Sequence, residues 1–352
     1  KPSVEIMVDD VRNDTFELPD QVHINQLREA LWSGVSYGRA AVMVGSGFSR
    51  NAQAVGPGVP VFPLWSEIMT HIVEHLVPEG SQDRQRILET CQTSSGALRI
   101  AQEYEALHGR GKLNSLLKDC VPDKYFRPDS LHRLLLQLPW SDVFTTNWDT
   151  LLDRTADALH EIRYDKVLCI EDIPLTMRPR LVKLHGSFPS NRPFIFTEDD
   201  FRTYPKNCAA FVNLVQQSMM ENLLCLIGFS GDDPNFLAWS GWVRDNLGSE
   251  RPNIYLCGLL NLRQGQRKLL EERKVTPIDL SPLFSGNHTV PEAQRHKLST
   301  EWLLNNLMNG RPPNELDWPN DSSNENREIA ALPPIPPYTG PRPIVEEMWP
   351  PK

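Results

Sequence analysis

Asn147 and His185 are the side chains of this chain whose surroundings most invite chemistry. Asn147 lies in Thr145-Thr146-Asn147-Trp148-Asp149 and His185 in Lys183-Leu184-His185-Gly186-Ser187, and each string follows an apolar, strand-like run. A histidine exchanges protons near neutrality, and an asparagine amide orients water and hydroxyl groups. Upstream, Val42-Met43-Val44-Gly45-Ser46-Gly47-Phe48-Ser49-Arg50 reads as a buried strand that empties into a glycine-rich turn. Gly45 and Gly47 let the backbone bend and approach a ligand, Ser46 and Ser49 add hydroxyls, and Arg50 adds a fixed charge. Those groups suit a pyrophosphate. A complete G-x-G-x-x-G pattern is absent, because position 50 is Arg.

A fourth string, Leu226-Ile227-Gly228-Phe229-Ser230-Gly231-Asp232-Asp233-Pro234-Asn235-Phe236, is another strand running into a Gly- and Ser-rich loop that offers amides and a hydroxyl to a nucleotide. The adjacent Asp232 and Asp233 raise a metal-ligand reading, while aspartates before a proline also start turns or cap helices. Each string has a structural alternative of this kind. Asn147 fits the cap of a helix beginning near Asp149, His185 fits a core-edge histidine satisfied by backbone, and the glycines fit a bare turn. Taken singly, the strings leave both readings open.

The elements that must position these residues follow from hydrophobic pattern. Buried strands are expected at Ala40 to Val44, Asp142 to Thr145, Leu181 to Leu184, Leu223 to Ile227, Ile254 to Cys257 and, more weakly, Val275 to Leu280. Between the first two, apolar residues such as Trp65, Ile68, Met69, Ile72, Val73 and Leu76 recur at helical spacing. This predicts an α/β fold, a Rossmann-like parallel sheet with an inserted helical module at about residues 64–139 that forms one wall of the site. The expected organisation is an N-terminal helical extension over 1–34 with a helix from His23 to Trp32, a main domain over 35–285, a C-terminal helix within 286–311, and a tail over 312–352. That tail holds 11 of the 30 prolines, so it reads as an extended linker leading to a further module. Pro334-x-x-Pro337 also fits a polyproline ligand.

Composition narrows the partners. The chain has 352 residues, 40% of them apolar, which supports a sizeable core. No uninterrupted apolar run approaches the roughly 18 residues that a membrane-spanning helix needs. A cytoplasmic location is expected. The formal net charge of -9 and the lack of a Lys/Arg cluster argue against nucleic-acid binding. Six widely spaced cysteines form no C-x-x-C pair, and they read as buried free thiols.

In order and in type, Gly45-Ser46-Gly47-Phe48-Ser49, Thr145-Thr146-Asn147-Trp148-Asp149, Leu184-His185-Gly186 and Gly228-Phe229-Ser230 resemble the four conserved blocks of the sirtuins, over about residues 35–285. The resemblance implies an enzyme that consumes NAD. Asn147 would contact the nicotinamide ribose and position the attacking group, and His185 would be the general base. Gly45, Ser46, Gly47, Phe48, Ser49, Arg50, Thr146, Asp149, Gly228, Phe229 and Ser230 would hold the dinucleotide. The departures matter equally. Protein deacylases of that family carry four zinc cysteines after the His-Gly block, whereas residues 186–222 hold only Cys208. Gly58-Val59-Pro60-Val61-Phe62-Pro63-Leu64-Trp65 likewise replaces their cofactor-loop string. Phe194-Ile195-Phe196-Thr197-Glu198-Asp199-Asp200-Phe201-Arg202 and the Gly228–Pro234 block are similar to a prokaryotic branch found in anti-phage defence proteins.

For that branch the resemblance implies plain NAD hydrolysis without a metal, action as an oligomer, and a fused or separate sensor or ATPase module. The alternatives are a protein deacylase or ADP-ribosyltransferase, and a sensor that binds NAD or ADP-ribose without turnover.

Overall fold

In the computed structural model the described residues are 18–59, 61–189, 193–230, 233–285 and 290–311. The proline-rich tail, Asp232 and the first part of the N-terminal extension lie outside them. The chain forms a seven-stranded sheet in the order β5-β6-β4-β1-β7-β8-β9, with every neighbouring pair parallel. The strands are β1 (Ala40–Val44), β4 (Asp142–Thr145), β5 (Asp165–Val167), β6 (Arg180–Lys183), β7 (Leu223–Ile227), β8 (Ile254–Gly258) and β9 (Val275–Asp279). A separate antiparallel pair joins β2 (Gln53–Ala54) to β3 (Phe126–Arg127). The large sheet is Rossmann-like, with the strand order reversing on either side of β1.

Both faces are covered because the strands carry apolar side chains on alternate sides. Val42, Val44, Val143, Leu181, Cys225 and Ile227 pack on one face with the helices Gln21–Leu31 and Glu292–Met308. Ala41, Met43, Phe144, Val182, Leu224 and Leu226 pack on the other with the helices Ala209–Glu221 and Pro234–Leu247. A third core lies apart from the sheet. There Ile68, Met69, Ile72, Val73, Ala97, Leu113 and Leu117, from helices between β2 and β3, meet Trp148, Leu151, Phe194 and Phe196. The helices of this module therefore lean on the loops that follow β4 and β6. Ser130–Leu136, the last helix before β4, instead buries Leu131, Leu135 and Leu136 against the first face of the sheet.

Two expectations need correction. The pattern reading missed β5, whose Asp165 and Lys166 interrupt any apolar run, and it missed the two-residue strands β2 and β3. Of the six cysteines only Cys225 and Cys257 are buried, with sulfurs 3.5 Å apart on neighbouring strands; the other four are half-buried. Among the described residues, no helix is long and apolar enough to cross a membrane.

His132 is fully buried in the helix Ser130–Leu136, edge-on to Phe48 at 5.0 Å. Its Nδ1 accepts from the Asp129 N–H at 3.2 Å, while Nε2 has no partner among the described residues. Burial lowers its pKa to about 4, the Asp129 charge opposing that only in part. The unfolded chain, with a histidine pKa near 6.5, therefore binds the extra proton first as the pH falls. Stability should drop between about pH 6.5 and 4, by roughly 3 kcal/mol from this group. Urea melts across that range should show a shallower loss for His132→Asn than for the parent.

Candidate active site

Register places the chemistry. Val44 pairs with Thr145 on one side and with Ile227 on the other, and Thr145 pairs with Lys183. The residues that follow, Gly45, Thr146, Leu184 and Gly228, therefore emerge in one row at the carboxyl edge of the sheet, where such sheets bind ligands. They open onto a cavity of about 510 Å³. Its floor includes Gly45, Ser46, Gly47, Thr146, Asn147, Asp149, His185, Gly228, Phe229 and Ser230, and its opposite wall is Phe62, Trp65, Ile68, Thr93 and Leu98 from the helical module.

The β1 and β7 loops interlock. Gly45 N–H donates to Ile227 O and Gly47 N–H donates to Gly228 O, each at 3.1 Å. Gly228 has φ +60, and a Cβ there would lie 2.3 Å from the Phe48 nitrogen; a Cβ on Gly45 would lie 2.3 Å from Gly228 O. Ser46 lines the cavity and keeps its own N–H outside these bonds.

Asn147 is held from beneath. Its Nδ2 donates to Ser49 Oγ at 2.9 Å, and Ser49 Oγ donates to Asp149 Oδ2 at 2.7 Å. With the amide nitrogen committed, Oδ1 is the part of Asn147 left to accept from a ligand hydroxyl or a water. Asp149 also receives the Leu151 N–H at 3.1 Å, and the buried Lys183 ammonium donates to its carbonyl oxygen and to Asp153 at 3.3 Å. Burial raises the Asp149 pKa, against the pull of Lys183 and Ser49. The helix Leu151–Ala158 thus receives its side-chain cap from Asp149, and Asn147 is free of that duty.

His185 is 3% exposed, edge-on to Phe201 at 5.3 Å and to Tyr204 at 5.7 Å. Its carbonyl accepts from Trp148 Nε1 at 3.0 Å and from Ile195 N–H at 3.1 Å, which ties the β6 loop to the Asn147 loop. Burial lowers its pKa below the ordinary histidine value, with Asp233 and Asp200 opposing the shift. The ring is therefore neutral at pH 7, the form that accepts a proton.

Three expected dinucleotide contacts stand apart from the cavity lining. Phe48 is buried against His132, Ser49 lies under Asn147, and Arg50 turns outward to pair with Glu67. Among the described residues the cavity lining holds no Lys or Arg, so hydroxyls and backbone amides are the groups it could offer an anion. Asp233 caps the helix Pro234–Leu247 by accepting from Phe236 N–H at 3.0 Å. Among the described residues, no group of three or more His, Cys, Asp or Glu is placed to hold a metal ion.

The family model described as SIR2-like domain matches residues 141–278. Residues 141–278 thus resemble a SIR2-like domain. Asn147, His185 and Gly228–Ser230 fall inside the match, and Gly45–Arg50 precede it. Among curated proteins, the chain is similar to the NAD(+) hydrolase ThsA of Acinetobacter baumannii, 31% identical over 39% of this chain and 29% of that protein. It is also similar to the ThsA proteins of Enterococcus faecium (23% identical, covering 70% of this chain and 46% of that protein) and Bacillus cereus (21%, covering 56% and 38%). The matches therefore span less than half the length of each of these relatives.

Pattern reading of the SIR2-like domain missed Asn235. Its Nδ2 lies 3.4 Å from His185 Nε2, and it is buried in the first turn of the helix Pro234–Leu247. The signal was the Asp-Pro-Asn helix start, which places Asn235 one residue past the proline. The sequence pattern predicts the module as one wall of the site but does not single out Phe62, Trp65 and Thr93, which line the cavity from far along the chain.

Because Gly228 combines a positive φ with backbone contact to the β1 loop, Gly228→Ala should cost about 2 kcal/mol or more in a denaturant melt. Gly56→Ala, at a site with nothing within 4 Å, should lie within about 0.5 kcal/mol of the parent.

Proposed function

We propose that the SIR2-like domain hydrolyses NAD at the bond between nicotinamide and ribose, releasing nicotinamide and ADP-ribose. The observation that carries this reading is the convergence of Asn147 and a buried, neutral His185 on one cavity, at the ends of the adjacent strands β4 and β6. The ThsA relatives, whose names state NAD(+) hydrolysis, support it.

The chemistry suits the residues present. Nicotinamide departs as a neutral molecule from a cationic pyridinium, so bond cleavage needs no general acid. What remains is to hold the ribose and supply a nucleophile to an oxocarbenium-like centre. Asn147 Oδ1 accepts a hydrogen bond from a ribose hydroxyl or from the attacking water. His185 takes the proton released as that water adds to the ribose carbon. Ser46 and Ser230 offer their hydroxyls to the pyrophosphate, and Trp65 and Phe62 enclose the apolar part. Asn235 positions His185 by fixing its ring orientation and tautomer. We further propose that this activity depletes NAD as the effector of an anti-phage defence system, acting as an oligomer under a sensor or ATPase module.

Purified protein incubated with NAD, with and without an acyl-lysine peptide, should yield nicotinamide and ADP-ribose at the same rate in both. Product formation that requires the peptide would overturn the reading. Asn147→Ala and His185→Ala should each slow turnover by about 10²-fold or more with the fold retained. Asn235→Ala should slow it about tenfold, the value of one hydrogen bond, chiefly in kcat. Because the His185 pKa lies below the usual value, kcat/KM should hold as the pH falls past about 6.5 and decline only further into acid. Asn235→Ala should move that acid limb, which a purely structural role would leave in place.

A further inference from the structure

A second cavity, of about 290 Å³, lies between the helices Pro234–Leu247 and Gln264–Glu272 over β7, β8 and β9. Its floor is apolar, with Leu226, Phe236, Leu256 and Leu270, and two arginines, Arg244 and Arg273, stand in its lining. Arg273 makes no side-chain hydrogen bond or ion pair among the described residues. Among the described residues Arg244 pairs only with the exposed Asp245 at 3.3 Å, a contact of little worth in water.

A third guanidinium lies behind them. Arg251 is 9% exposed, and its Nη2 donates to the carbonyl of Lys274, the residue after Arg273. Its Nη1 is buried without a partner among the described residues. Burial and the Arg244 charge both lower the Arg251 pKa. Arg251 lies outside the cavity lining but feels the Arg244 charge, and a dianion on the two lining guanidiniums would relieve that repulsion while filling their hydrogen-bonding forks. Two lining guanidiniums offer N–H donors to the oxygens of a phosphate, and the apolar floor suits a flat or aliphatic body attached to it.

We propose that this cavity binds a small organic monophosphate, its apolar body against Leu226, Phe236, Leu256 and Leu270 and its phosphate on Arg244 and Arg273. The site is separate from the candidate active site, which shares with it only Ser230 at the rim. The helix Pro234–Leu247 borders both.

Calorimetric titration of the intact chain with phenyl phosphate tests the assignment, with inorganic phosphate and benzoate run alongside. Phenyl phosphate should bind saturably, and both comparison anions should bind about tenfold or more weakly. Arg244→Ala and Arg273→Ala change exposed residues and should each weaken phenyl phosphate about tenfold or more. Gly241 lines the cavity, and a Cβ there meets nothing closer than 4.0 Å. Gly241→Leu should therefore fill the hollow and abolish binding with the thermal melt unchanged or raised, while Asn147→Ala should bind as the parent does. The assignment is overturned by absence of saturable binding up to about 10 mM. It is equally overturned if benzoate or inorganic phosphate binds as tightly, if the arginine and Gly241→Leu variants bind normally, or if Asn147→Ala loses binding.

Discussion

The parallel ladder joining β1 to β4 and β7, and β4 to β6, is the constraint on which everything at the candidate active site rests. Four chain segments far apart in sequence leave the sheet at one level because Val44, Thr145, Lys183 and Ile227 share a register. A slip of one residue in any of these strands would exchange its two faces as well as displace its loop, since alternate side chains serve different cores. The hydrophobic pattern that builds the two faces therefore also aims Asn147 and His185. Packing and positioning are the same requirement here.

Below that edge the polar groups form a connected set. Asn147 leans on Ser49, Ser49 on Asp149, and the backbone of Asp149 on Lys183, which also reaches Asp153. Two carboxylates, an ammonium and a hydroxyl are withdrawn from water in this set, which is tolerable only because each finds a partner. The result is an asparagine amide with a defined orientation and no need for solvent to hold it. His185 gains its orientation differently, from aromatic neighbours, from the Asn235 amide at its Nε2 and from a carbonyl bonded by Trp148 and Ile195. One residue is fixed by a polar chain and the other mainly by an apolar cage, which suits the acceptor and the neutral base proposed for them.

Much of this was legible in the sequence. The runs at Ala40–Val44, Asp142–Thr145 and Leu223–Ile227 form strands with the expected ends, because buried parallel strands write themselves as continuous apolar stretches. β6 and β9 each end one residue earlier than their apolar runs, and β8 extends one residue further. β5 left no such trace, since a short edge strand needs little apolar content. At the site, the four loops were legible because each joins a strand to a compact motif. Arg50 was misleading in isolation: its charge pointed to a phosphate, yet Glu67, whose side chain also accepts the Leu64 N–H, draws it away. Asn235, and which side chains of the expected module wall reach the cavity, depend on long-range packing that no local string encodes.

The small antiparallel pair of β2 and β3 has a consequence for how this molecule changes over time. By bringing Gln53–Ala54 beside Phe126–Arg127, it makes the chain depart from the sheet and return at almost the same place. Closing such a loop costs little more when the loop is long, so its length is weakly constrained as long as the core it shares with Trp148, Leu151, Phe194 and Phe196 is kept. The sheet edge that holds Asn147 and His185 would not register such a change of length in its own ladder. The outer turns of the wall are thus open to change in length, while the side chains that pack on Trp148 and Phe194 are bound to the floor.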